Sequence, residues 1–162
     1  EHLEKHGGHA AAAGFTIQEK NVAAFRSDFC DQVAELLKTE DNMAELFIDA
    51  EAPFIQLTTQ NVEQIQQLAP FGKDNPRPIF VASEVEIVPK SAKRMGGGQR
   101  HLTVTLTQFN KKIRCVAFGQ GDWAEELDQV SGPIDVAFKP VINEFRGQRN
   151  VELHIEDWRL SQ

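Results

Sequence analysis

Two groups of residues in this 162-residue chain have the types and spacing to act on an anion. The first is Gly7-Gly8-His9, followed at once by Ala10-Ala11-Ala12-Ala13-Gly14 and the strand-like Phe15-Thr16-Ile17. Consecutive glycines expose bare N–H groups, and the small residues after them let backbone approach a ligand or a neighbouring sheet closely. The segment reads either as an anion-binding turn at a helix start or as a tight turn carrying a surface histidine. His2, His6 and His9 stand at i, i+4 and i+7, a spacing that on an unbroken helix would align three imidazoles for a metal ion. Gly7-Gly8 break that helix, so no metal role is assigned to them.

The second group is cationic. Between Glu86 and Asp122 there is no acidic residue, yet Lys90, Lys93, Arg94, Arg100, Lys111, Lys112 and Arg114 all fall there. Such a run is either a solvated face or a surface that tracks phosphates. Asn143-Glu144-Phe145-Arg146-Gly147-Gln148-Arg149 looks like a hairpin turn between strands. With Arg146, Arg149 and Phe145 together, it is either a loop that grips a nucleic-acid strand or an ordinary hairpin whose phenylalanine folds back to the core. Met95-Gly96-Gly97-Gly98-Gln99, flanked by Lys93, Arg94 and Arg100, is expected to be a mobile tip able to close over a ligand. Phe109 and Phe118 are each core or stacking platform, and alternation with Val116 points Phe118 to the core.

The elements that must hold these residues fall into two sets. Asn21 to Lys38 spaces Val22, Phe25, Phe29, Val33, Leu36 and Leu37 by three and four, an amphipathic helix behind an Asn cap. Its polar face is acidic, including Glu35 and, beyond it, Glu40, Asp41 and Glu45. Leu46 to Ala50 reads as a short strand limited by Pro53. Thr58 or Thr59 caps a helix through Val62, Ile65 and Leu68, and Phe71 to Pro78 is a rigid, turn-rich connector. From Ile79 the period becomes two, with strands expected near 79–90, 101–108, 112–118, 134–145 and 150–160. A short helix around Trp123 to Gln129 separates the third from the fourth, and Trp123 and Trp158 are expected to anchor that helix and the last strand. Five strands with a helix after the third is the order of an OB-fold, a small Greek-key barrel often used for single-stranded nucleic acid.

Charge follows the same division. The net charge is -7, but residues 1–72 carry 4 Lys/Arg against 12 Asp/Glu, whereas residues 73–162 carry 13 against 12. No apolar run reaches the roughly 18 residues that would span a bilayer. Cys30 and Cys115 have no metal-ligand spacing and are expected to be reduced core thiols of a cytoplasmic protein.

Several of these segments occur together and in this order in the RecJ exonucleases, bacterial nucleases of the DHH phosphoesterase superfamily. They are Gly7 to Ile17, Leu68-Ala69-Pro70-Phe71-Gly72 with Asn75-Pro76, His101-Leu102-Thr103-Val104, Ala117-Phe118-Gly119, and Val151 to Asp157. The chain resembles the C-terminal part of that family. This implies an α+β architecture: a partial α/β segment, the end of the DHHA1 domain with a linking helix (residues 1–72), then a five-stranded OB-fold barrel (residues 73–162). Asp74 stands where the family's connector commonly has glycine.

The activity the resemblance implies is stepwise hydrolysis of single-stranded DNA from the 5′ end in repair and recombination, with two divalent metal ions, manganese or magnesium. Such ions need a cage of aspartates and histidines. The family's cage lies in an N-terminal Asp-His-His domain, and this chain has neither Asp-His-His nor Asp-x-Asp. By itself it is therefore expected to be inactive and to bind no cofactor. The family's substrate-phosphate contact carries over to Gly8 and His9, and to Gly7 beside them. The single-stranded-DNA surface is assigned to Lys90, Lys93, Arg94, Arg100, Lys111, Lys112, Arg114, Phe145, Arg146 and Arg149. Expected partners are single-stranded DNA and other DNA repair proteins in a bacterial cytoplasm, with no membrane. The alternative is an OB-like protein-interaction or regulatory module that does not bind DNA.

Overall fold

A computed structural model describes residues 2–38 and 45–161, in two compact units that divide between Leu46 and Phe47. In the first unit β1 (Leu3–His9) pairs antiparallel with β2 (Ala12–Ile17) through a turn at Ala10-Ala11. A short 3-10 turn, Glu19–Asn21, leads into α1 (Val22–Leu37). Asn21 does occupy the cap position, but its side chain makes no capping hydrogen bond. Phe25 packs with Phe15 and Phe29, at ring centroid distances of 4.9 and 5.7 Å. No α1 side chain is buried, so Cys30 is exposed rather than a core thiol. Glu40 and Asp41 lie outside the described residues.

The second unit is a closed barrel. Its strands are β4 (Phe80–Ile87), β6 (His101–Gln108), β7 (Lys111–Ala117), β8 (Ile134–Phe145) and β9 (Gln148–Leu160). The ring runs β4-β8-β9-β7-β6 and closes where β6 returns to β4 at Glu86↔Thr107 and Ile87↔Leu106. The β7–β9 pair is parallel and the other barrel pairs are antiparallel. A two-residue β3 (Ala50–Glu51) extends the edge beside β4, and β5 (Lys93–Met95) pairs with the start of β6. The strand expected over 46–50 is reduced to β3, and β5 is the strand that alternation does not reveal. Five strands with α3 (Trp123–Gln129) between the third and fourth form an OB-fold, as the sequence order predicts.

Alternation builds the interior. Leu102, Val104 and Leu106 of β6 and Ile113, Cys115 and Ala117 of β7 point inward with Val136, Phe138 and Leu153, all buried. Phe54 is fully buried edge-on to Phe138, at 6.4 Å between ring centroids. Burial pushes the Cys115 thiol up to about 12, so it stays protonated. Trp123 of α3 meets Trp158 of β9 edge-to-face at 6.5 Å, the anchoring expected of both.

The unit boundary differs from the one placed after residue 72. Residues 47–72 pack with the barrel because their backbone pairs with it. The Asp49 N–H donates to the Ile79 carbonyl at 2.8 Å, Ala52 N–H to Val81 at 2.9 Å, and Phe54 N–H to Gln108 Oε1 at 2.7 Å. The helix α2 (Thr59–Gln66), capped by Thr58 Oγ1 accepting from Asn61 N–H at 3.2 Å, buries Val62. The connector after it is a tight turn inside the unit, closed by Asn75 Nδ2 donating to Leu68 and Pro70 carbonyls at 2.9 Å each.

Candidate nucleic-acid interface

Along β7 the inward positions are Ile113, Cys115 and Ala117, so Lys112 and Arg114 necessarily point outward. They line an open groove of about 790 Å³ together with Lys111 and Phe145. The far wall is β8 and β9 (Asn143, Asn150, Val151, Glu152), and the rim is Leu57 to Thr59 at the start of α2. Lys111 Nζ donates to the Leu57 carbonyl at 3.0 Å, tying that rim to the barrel. Buried Glu152 accepts from Asn143 Nδ2 at 2.9 Å and from the Arg114 guanidinium, which it holds across the groove wall.

The β8–β9 hairpin closes in a two-residue turn, Arg146 (φ 51°) and Gly147 (φ 75°), between the paired Phe145 and Gln148. Both positive φ values are what a type I′ hairpin turn demands. Phe145 is 67% exposed with the Arg146 guanidinium 5.2 Å from its ring centroid, so it does not fold back to the core. Arg149 pairs with Glu63 of α2 at 2.9 Å and approaches Glu144 at 3.9 Å.

The remaining cations sit on the loop between the first two barrel strands. This loop is not a free tip. It contains β5, then a 3-10 turn at Gly97–Gln99, and the Gly121 N–H donates to the Arg100 carbonyl at 3.0 Å. Gly121 is required there, because a Cβ would lie 2.3 Å from the Gln99 carbonyl oxygen. Arg94 donates to both carboxylate oxygens of Glu125 at 2.9 Å and reaches Asp122 at 2.7 Å. Those contacts hold the Glu125 carboxyl below its ordinary value and raise Arg94. Arg94 and Arg100 line a second cleft, of about 360 Å³, with His101 and Gly119.

The uncompensated cationic run is therefore partly neutralised in space. Arg94 and Arg114 find Asp122, Glu125 and Glu152, which follow in the sequence but fold back onto them. Among the described residues Lys90, Lys93, Arg100, Lys112 and Arg146 have no ion-pair partner. Phe118, expected in the core, is 58% exposed. It lies just past the end of β7, in a turn, so the alternation that buries Val116 does not extend to it. Its ring meets His101 at 5.4 Å and His154 at 5.0 Å, both edge-to-face.

Gly7, Gly8 and His9 are exposed at the end of a strand, not at a helix start. The small residues serve close approach between strands: a Cβ on Gly8 would lie 2.5 Å from the Ala12 carbonyl oxygen and 2.5 Å from Ala13 Cα, whereas one on Gly7 would meet nothing within 4 Å. His6 and His9, three apart on β1, face opposite sides of it, and His2 Nε2 lies 2.7 Å from Asp28.

Residues 48–157 match the family model of the RecJ OB domain. The chain belongs to the RecJ family. It is 26% identical over 160 residues to the single-stranded-DNA-specific exonuclease RecJ of Bacillus subtilis (strain 168), covering 99% of this chain and 20% of that protein. Against RecJ of Dickeya dadantii (strain 3937) it is 31% identical over 159 residues, covering 96% of this chain and 27% of that protein. The crystal structure of RecJ in complex with Mn2+ from Thermus thermophilus is similar at a TM-score of 0.64 and 28% identity, covering 99% of this chain and 22% of that one. The chain thus spans about a fifth to a quarter of the relatives it matches.

A further RecJ structure from the same organism holds Mg2+. The described residues of this chain do not fit such an ion: among them no three His, Cys, Asp or Glu side chains converge to hold a metal. No helix among the described residues is long and apolar enough to cross a membrane.

Proposed function

We propose that this chain is the substrate-holding part of a RecJ-type exonuclease, and that its barrel binds single-stranded DNA. The observation that carries this reading is the groove, where Lys111, Lys112, Arg114 and Phe145 converge on an open face of a RecJ OB domain. Cations there neutralise phosphates and release counterions, while exposed aromatic rings accept bases of any sequence. The groove lies beside the β8–β9 hairpin, and the loop carrying Lys90, Lys93, Arg94 and Arg100 joins the first two strands. These are the two loops with which OB-folds contact oligonucleotides.

Preference for single strands follows from this chemistry. A base paired in a duplex has no free face to offer Phe145, and nothing in the groove has the form of an element that reads base edges. In this reading Gly7, Gly8 and His9 meet the phosphate of the terminal nucleotide, through backbone N–H and imidazole. Hydrolysis from the 5′ end with manganese or magnesium is the work of a metal-bearing domain elsewhere in the protein.

The test is fluorescence-anisotropy titration of the folded chain with labelled single-stranded and duplex oligonucleotides. Binding that prefers the single strand and is lost in Lys112→Glu/Arg146→Glu is expected. Absence of binding at low salt, with circular dichroism showing a folded chain, would overturn the proposal in favour of a barrel that serves a protein partner.

A further inference from the structure

We infer that Phe118 is a base-stacking platform joining the two cationic clefts, so that one strand of DNA runs from Arg94 and Arg100 across Phe118 to Lys112 and Arg114. This rests on the DNA-binding reading of the barrel and adds a path and a contact to it. Nothing in the cationic run or in the hairpin points to Phe118.

The path is a chain of contacts. His101 lines the smaller cleft with Arg94 and Arg100, and its ring meets Phe118. On the other side Phe118 meets His154, whose Nε2 lies 3.5 Å from Glu152 Oε1. Glu152 in turn holds Arg114, and both line the larger groove. The clefts also approach each other through Arg114, whose Nη2 is 3.8 Å from the Met95 sulfur on β5. Phe118 thus occupies the interval between two clefts, each with a cation free of ion pairs, Arg100 in the smaller and Lys112 in the larger.

The ring is suited to stacking. It is held from two sides by imidazoles while most of its surface stays open, so little side-chain entropy is lost when a base covers it. His101 is itself fixed, because its Nδ1 accepts the Gly119 N–H at 2.9 Å. Its Nε2 therefore carries the proton and is left as a donor. A partner with a flat apolar face and negative charge on both sides fits this arrangement, and a single-stranded polynucleotide is such a partner.

The experiment compares dT oligonucleotides with strands of equal length in which central bases are replaced by abasic sites, so that phosphates remain and bases do not. The wild-type chain should bind the base-bearing strand more tightly, and Phe118→Ala should weaken that binding by about tenfold while barely changing the abasic strand. Phe118→Leu, which keeps apolar bulk without a π-face, should behave like the alanine variant, and Phe118→Trp should bind as wild type. Thermal melts establish that each variant is folded.

Equal losses on both strands, or a Leu variant that binds as wild type, would overturn the platform. So would an unchanged alanine variant alongside a Lys112→Glu/Arg146→Glu variant that has lost DNA. That last result would leave the DNA-binding reading intact, whereas a wild-type chain that binds neither strand at low salt would overturn both.

Discussion

Charge pairing in the structure sets a measurable salt dependence. Nine cations are assigned to DNA, but Arg94, Arg114 and Arg149 are tied to carboxylates. That leaves Lys90, Lys93, Arg100, Lys111, Lys112 and Arg146 to replace condensed counterions, since the carbonyl that Lys111 holds leaves its charge uncompensated. Each phosphate neutralised on a single strand contributes about −0.7 to the slope of log K against log salt, so six give about −4, whereas nine uncompensated charges would give about −6. The assay is anisotropy titration of a dT oligonucleotide long enough to span both clefts, between about 50 and about 200 mM salt. Lys112→Ala with Arg146→Ala should flatten the slope by about 1.4, whereas Arg94→Ala should leave it nearly unchanged. Asp122→Asn with Glu125→Gln frees Arg94 and should steepen it by about 0.7. A wild-type slope near −6, or an Arg94→Ala variant that flattens it as much as Lys112→Ala does, would refute the view that ion pairing removes these arginines from the electrostatic contact.

Other perturbations test the scaffold. Gly8→Ala should push β1 from β2 and cost about 1–3 kcal/mol of hairpin stability, read as faster amide exchange at Ala13, while Gly7→Ala is neutral. Asp135 is raised by burial, but Ser161 Oγ (2.7 Å), the Glu84 N–H (3.3 Å) and Arg159 outweigh this and hold its carboxyl below the ordinary value. Its stabilisation is therefore present above the unfolded pKa and lost as pH falls, and Asp135→Asn should cost about 1–3 kcal/mol in a denaturant melt at neutral pH. His154 is held below its ordinary pKa, first by burial and then by Arg77, Lys139 and Arg114, against Glu156 and with Glu152 nearby. Between that lowered value and about 6.5 the unfolded chain binds more protons, so stability falls as pH drops below about 6.5, and His154→Gln should lose less Tm than wild type over that window.

The barrel was readable from residues because each strand has one face in the core: His101 to Thr107 alternates strictly, and β6 follows it residue for residue. Helix α3 and the turn at Arg146-Gly147 were likewise local signals. What local pattern does not contain is the partner. β5 is three residues long and charged at two of them, and only pairing with Thr103 and Leu102 makes it a strand. The Gly-Gly-His segment has the composition of a turn at a helix start, yet the alanines opposite let it pair as a hairpin. The unit boundary is hidden from local pattern for the same reason: Pro and Gly mark the turn at 70–78, but Asp49, Ala52 and Phe54 bond across it to the barrel.

A buried carboxylate in a groove proposed to take phosphates looks self-defeating, since Glu152 cancels the charge of Arg114. The cancellation falls on one residue, however, and leaves Lys112 beside it free of ion pairs. A guanidinium fixed by Glu152 keeps N–H donors that point in a set direction, and a donor already ordered loses little entropy when it meets a phosphate oxygen. Arg94, gripped by Glu125 and Asp122, is fixed in the same way at the other cleft. Attraction and alignment are then carried by different side chains. If the barrel binds DNA as proposed, the unpaired lysines and arginines would draw the strand in and make binding salt-sensitive, while the paired arginines, with Phe118 between them, would decide where along the barrel it lies.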